Sequence, residues 1–132
     1  MAVCPRLLAP AALAVLLLGC GPTLDTARLS PVTYPPRPAD FRIRMYSTQR
    51  PRCPFEELAT VRGRKPGWFV SMEDVAEEMR RFAREVGGDA IVAVSGSSEI
   101  SGGTVIGGAV SIDSDPILSG TVVRFREVDC RE

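Results

Sequence analysis

Residues 70–94 read VSMEDVAEEMRRFAREVGGDAIVAV. This block, a helix followed at once by a strand, decides the fold class. Ser71 is suited to cap the helix, with Asp74 three residues on as its capping-box partner. Val70 and Val75 occupy the two hydrophobic-staple positions. Val75, Met79, Phe82, Ala83 and Val86 recur at helical spacing and make one apolar stripe. Glu73, Asp74, Glu77 and Glu78 lie at the positive end of the helix dipole, and Arg80, Arg81 and Arg84 nearer its negative end. Glu77 and Arg81 are an i,i+4 pair in the favourable order. Gly87-Gly88 stops the helix. Ala90 to Val94 is then a nearly continuous apolar run, as expected of a strand covered on both faces or lying under the helix.

Upstream of this block, residues 41–48 alternate, with Phe41, Ile43 and Met45 on one side and Arg42, Arg44 and Tyr46 on the other. That period of two predicts a half-buried strand. Residues 50–54 break the chain, and Phe55 to Arg64 is the expected second strand, ended by a turn at Lys65-Pro66-Gly67. Downstream comes a Ser/Gly-rich stretch, Ser95 to Gly103. Thr104 to Ile112 is a further candidate strand, weakened by Gly107-Gly108. Asp113 to Pro116 reads as a turn, and Leu118 to Val128 as the closing strand, with Val122, Phe125 and Val128 as core candidates. The expectation is an α+β fold: one amphipathic helix packed on a mixed four- to five-stranded sheet in the order β-β-α-β-(β)-β. A right-handed crossover would carry the helix from the second strand to the third.

The amino-terminal residues 1–19 read as a signal peptide, with Arg6 as the positive region and an apolar stretch from Leu7 to Leu18. That stretch is short for a bilayer span. It ends in Leu17-Leu18-Gly19-Cys20, which resembles the bacterial lipobox. The resemblance implies cleavage before Cys20 and acylation of Cys20, an anchor that several acyl chains make stable. The plainer alternative is an ordinary secretory signal, or an uncleaved anchor, with Cys20 incidental. By the same analogy, Gly21 rather than Asp after the cysteine implies the outer membrane. Residues 20–40 then read as the lipidated cysteine and a Pro-rich tether, because Pro31, Pro35, Pro36 and Pro38 crowd around Tyr34. Extended polyproline of this kind would hold the domain tens of Å from the lipid. A Pro-rich docking peptide is the alternative reading. The folded domain is expected over residues 41–132.

Composition narrows the chemistry. Lys+Arg and Asp+Glu are both 16, so the formal net charge is +0 and gives no long-range field for nucleic acid. Lys65 is the only lysine, and there is no histidine, which excludes sites that need imidazole. Once Cys20 is lipidated and the signal is gone, Cys53 and Cys130 remain, and in an oxidising compartment such a pair is read as a disulfide. A redox-active pair is the sharper alternative, although no Cys-x-x-Cys is present. Glu99, Asp113 and Asp115 could hold a cation weakly, but without EF-hand spacing they read as a solvated loop, so no metal site is assigned. Glu56 and Glu57 are adjacent and would face opposite sides of a strand, which makes no carboxylate dyad. Ser95, Ser97, Ser98 and Ser101 lack a histidine partner. The glycine pairs 102–103 and 107–108 are not followed by Gly-Lys-Ser/Thr or a helix start, so they read as a hairpin, bulge or mobile loop rather than a phosphate loop. Trp68 and Phe69 form either a contact patch or staple packing. No catalytic residues, cofactors or enzymatic activity are assigned.

Three stretches carry a family resemblance: Cys53 to Val61, Met79 to Val94, and Gly120 to Phe125. Together they resemble the small bacterial envelope domains of the RcsF-like and YbjQ-like type. Ala59 and Gly88 depart from that pattern, which has glycine and alanine there, and RcsF-type domains carry two disulfides rather than one pair. The resemblance implies the fold and lipoprotein status; the lipobox, the extended tether and the lack of a catalytic constellation point to a membrane-anchored, periplasm-facing interaction or envelope-sensing module. Its partners would be the membrane, through the lipid on Cys20, and an envelope protein. The alternative is a small ligand- or metal-binding domain of YbjQ-like type.

Overall fold

A computed structural model describes residues 21–65 and 70–130. The signal segment 1–19, Cys20, and the Trp68-Phe69 pair lie outside the described residues. The elements are β1 (Thr23–Arg28), β2 (Arg44–Met45), β3 (Phe55–Arg64), α1 (Met72–Glu85), β4 (Ala90–Ile106) and β5 (Ala109–Phe125). They form one helix on a five-stranded mixed sheet of order β1-β3-β5-β4-β2, the α+β class expected. β2 runs parallel to β4, and the other neighbours are antiparallel. β3 and β4 therefore run the same way with β5 inserted between them, and α1 makes the crossover.

Helix α1 forms where its local signals place it. The Ser71 hydroxyl accepts from the Asp74 backbone N–H at 3.1 Å, and the Asp74 carboxylate accepts from the Ser71 N–H at 2.7 Å. Val70 and Val75 are both buried, as a staple requires. The stripe of Val75, Met79 and Ala83 reaches the sheet face made by Val61, Ile91 and Val122. The expected Glu77–Arg81 pair does not form. Glu77 instead accepts from Arg80 and Arg84, and Arg81 turns to Glu78.

A smaller apolar cluster covers the opposite sheet face: Ala90, Val92 and Val123, with Tyr46, Phe55 and Phe125 against them. β4 is thus buried on both faces at its start, which explains its unbroken apolar run.

Four expectations are corrected. First, the stretch read as a tether is built into the domain. Thr23–Arg28 pairs with β3 from Thr23↔Arg64 to Arg28↔Ala59. Leu24 fits over Gly63, where an added Cβ would strike Val75. The domain therefore begins at β1 rather than at residue 41. Second, the alternation over 41–48 yields only the two-residue β2, because only Arg44 and Met45 lie in register with β4. Two further bonds, Tyr46 N–H to the Ile91 carbonyl and Val94 N–H to the Tyr46 carbonyl, carry the contact across a β4 bulge at Ala93, whose φ is 53°. Third, the chain turns at Gly107-Gly108 and not at residues 113–116. Both glycines have positive φ, 59° and 85°, as a tight hairpin turn requires. The Ser/Gly-rich stretch and residues 113–116 are therefore strand. Fourth, Val128 is 90% exposed. The strand ends at Phe125, and the chain then bends toward Pro54, whose carbonyl accepts from the Arg126 N–H.

Candidate functional site

The cysteines expected to pair do pair. Cys53 and Cys130 form a disulfide with Cα atoms 6.1 Å apart. The bond lies just past the Phe55↔Phe125 pair, where β3 and β5 are already neighbours. It reinforces a closed end of the sheet and lines no cleft. Among the other candidates, Ser95 and Ser119 share a hydroxyl–hydroxyl contact of 3.1 Å across β4 and β5, a cross-strand tie. Glu99 stands opposite Asp115 in register, and Gly102 opposite Asp113. Among the described residues no three His, Cys, Asp or Glu side chains gather as metal ligands.

A part-buried polar cluster lies where the Pro-rich segment crosses the sheet. Glu56, on β3, points to this side, while its neighbour Glu57 is exposed, as alternation requires. Its carboxylate accepts from the Ser30 hydroxyl at 2.6 Å and from the Tyr34 hydroxyl at 2.5 Å. Arg124 sits opposite Glu56 on β5, and its guanidinium lies 4.3 Å from the centre of the Tyr34 ring. The same guanidinium donates to the Gly87 carbonyl at 2.7 Å. The Ser30 hydroxyl, followed by that of Tyr34, holds the Glu56 carboxyl below its ordinary range. The Glu56 carboxylate, by accepting a hydrogen bond from the Tyr34 hydroxyl, pushes the phenol up.

A second clasp holds the same segment a few residues on. Arg37 donates to Asp89 at 2.6 Å, and the other Asp89 oxygen accepts from the Phe125 N–H at 2.8 Å. The Arg37 N–H donates to the Arg84 carbonyl at the end of α1. Residues 30–37 are therefore a strap over the carboxy-terminal end of the helix, fixed by Glu56 and Asp89.

Beside the strap opens a cleft of about 200 Å³ lined by Thr26, Arg28, Val32, Leu58, Ala59, Phe82 and Val86. Val32, Leu58, Ala59, Phe82 and Val86 make most of its lining apolar, with Thr26 and Arg28 polar. Val32, in its lining, is 48% exposed. Strand β1, which supplies Thr26 and Arg28, is at the edge of the sheet, so its outer N–H and C=O groups face no strand among the described residues. Thr26 and Arg28 are its polar lining residues; the cleft can hold an apolar group and offer main-chain hydrogen bonds along its side. The sequence reading missed this site because it depends on segment 23–37 folding back. Tyr34 among four prolines was the one local signal.

No family model matches the chain, and no curated protein is similar to it. Among solved structures, the crystal structure of a Francisella virulence factor, FvfA, in its orthorhombic form, is similar at 14% identity. The match covers 80% of this chain and 99% of that one, with a TM-score of 0.50. At that identity the likeness speaks for the fold alone.

Proposed function

We propose that the protein is an envelope lipoprotein, anchored through acylated Cys20 and facing the periplasm, whose domain serves as an interaction module of the RcsF-like or YbjQ-like kind. The observation that carries the interaction role is the edge position of β1 beside a largely apolar cleft, with Val32 of its lining exposed. An extended segment of a partner protein adds to such an edge through main-chain bonds, and one of its apolar side chains enters the cleft. The lipobox-like Leu17-Leu18-Gly19-Cys20 supports the anchor, and Gly21 favours the outer membrane.

In-cell crosslinking of tagged protein tests this reading, comparing wild type with Cys20→Ala and Val32→Asp. A partner captured by wild type and lost with both variants supports it. Equal capture by all three overturns the cleft's part in it, and substrate turnover by the purified protein overturns the interaction role. A second reading, a small apolar ligand held in the cleft, is favoured by its largely apolar lining. Saturable binding of an aliphatic or aromatic probe, abolished by Phe82→Asp, would favour that reading instead.

A further inference from the structure

The register of the sheet fixes what lies at each of its ends. Thr23, Arg64, Ile117 and Ser97 stand in one row across β1, β3, β5 and β4. Beyond that row β1 and β3 stop, while β4 and β5 continue alone as a two-stranded ribbon to the turn at Gly107-Gly108. β1 begins in this row and runs away from the ribbon, so the chain ahead of Thr23 leaves the domain on the ribbon side. Cys20 is three residues before Thr23, within about 10 Å by chain length. The anchor point and the ribbon thus share one end of the molecule, and the strap, Glu56 and the disulfide lie at the other.

From Ser97 to Ile106 the ribbon extends about 30 Å at the ordinary rise of a strand. An arm of that length, rooted about 10 Å from a lipid surface, cannot stand upright without driving its tip about 20 Å inward. Its open strand edges carry polar groups that hydrocarbon would leave unsatisfied. Tilted along the surface, the same arm would bring its tip to headgroup depth instead. The tip suits that position. From Ile100 to Ile112 no residue is charged; Glu99 and Asp115 lie near the base and Asp113 stands about midway, opposite Gly102. Val105 is 71% exposed, and nothing lies within 4 Å of the Cβ positions of Gly107 and Gly108. A two-stranded ribbon is also marginally stable alone in water, which a contacting surface offsets.

We propose that the tip of the β4–β5 ribbon, Val105 to Ala109, is a second contact of the protein with the lipid surface that holds Cys20. The inference rests on the anchor reading above. It makes the orientation of the domain fixed rather than free, with the strap and the disulfide end held away from the membrane.

The test uses the full chain expressed and processed in a bacterial host, recovered as wild type and as Val105→Trp. Mass spectrometry first establishes whether Cys20 carries acyl chains; their absence sinks the anchor reading itself. The acylated proteins are then reconstituted in phosphatidylethanolamine–phosphatidylglycerol vesicles containing lipids brominated near the headgroup end of the acyl chain. Wild type reports the signal of Trp68 alone. The expected result is that the added tryptophan emits at shorter wavelength than in detergent-free buffer and is quenched by the brominated lipid. A further variant, Val105→Trp with Ile106→Asp, is expected to lose most of that quenching. An acylated protein whose added tryptophan stays unquenched overturns the inference while leaving the anchor intact. So does a blue shift without quenching that appears together with crosslinked dimers, since the tip would then pair with a second copy.

Discussion

The Tyr34 hydroxyl donates to Oε2 of Glu56 at 2.5 Å, joining a Pro-rich segment near the start of the domain to the second residue of β3. This contact should leave a signature at both ends of the pH scale. Glu56 is held below its ordinary value of 4.5, so the stability it confers is present above that value and lost as pH falls through the lowered one. The phenol of Tyr34 is raised above 10.0, so its contribution is present below that value and lost as pH rises through the raised one. Tyr34→Phe keeps the ring under Arg124 and removes only the hydroxyl. The melting-temperature gap between wild type and Tyr34→Phe should be widest near neutral pH and close at both extremes. A gap that stays constant from acid to alkali would mean the hydroxyl is not bonded to Glu56 in solution.

Asp89 closes the other clasp, and its loss should be costlier because the carboxylate is only 9% exposed and serves two donors. Asp89→Ala leaves the Arg37 guanidinium and the Phe125 N–H without their acceptor. Urea unfolding should record a loss of about 2–3 kcal/mol. Asp89→Asn, which keeps one acceptor, should lose about half as much. Equal values for the two variants would argue that the strap is not held by this charge.

The 77-residue separation between Cys53 and Cys130 sets the value of the disulfide. Chain-entropy arithmetic for a loop of that length gives about 4–5 kcal/mol as an upper value. Reduction, or a Cys53→Ser/Cys130→Ser double variant, should therefore lower stability by up to that amount while leaving the far-ultraviolet circular dichroism at low temperature unchanged. Loss of the spectrum in the cold would show that the bond shapes the fold rather than constraining the unfolded chain.

Gly87 and Gly108 both have positive φ, 79° and 85°, but different surroundings. A Cβ on Gly87 would come within 2.7 Å of the Pro35 carbonyl oxygen and of Tyr34 Cβ, whereas one on Gly108 meets nothing. Gly108→Ala should cost about 1 kcal/mol, the backbone penalty alone. Gly87→Ala should cost at least about twice that, since the strap must move as well. Thermal melts of the two variants side by side check the difference; similar shifts would mean the strap does not press on the end of α1.

What the sequence made legible follows from how local each signal was. Ser71, Asp74 and the Val75–Met79–Ala83 stripe act within one helix, so spacing alone placed α1. Ala90 to Val94 was legible because a strand covered on two faces must be apolar throughout. β1 was not, since its sequence TLDTAR has one large apolar side chain and gains its order from pairing with β3. The ribbon was misread for a similar reason. Its strands hold each other by register, and Pro116 fits because β3 has ended beside it, so no strand there calls for its missing N–H. The strap site was hidden for the same cause: Tyr34 meets Glu56, and Arg37 meets Asp89, only after the sheet is assembled.

The middle strand of this sheet is the last one to be synthesised. β5 lies between β3 and β4, so a ribosome that has released everything up to Gly108 has made only β1 with β3, and β2 with β4. Each is a two-stranded fragment, and such fragments are marginal in water. The domain then folds only after β5 has been made, in one late step dominated by contacts between distant residues. A chain in that condition is slow to commit to a structure, and so stays threadable for as long as β5 is withheld.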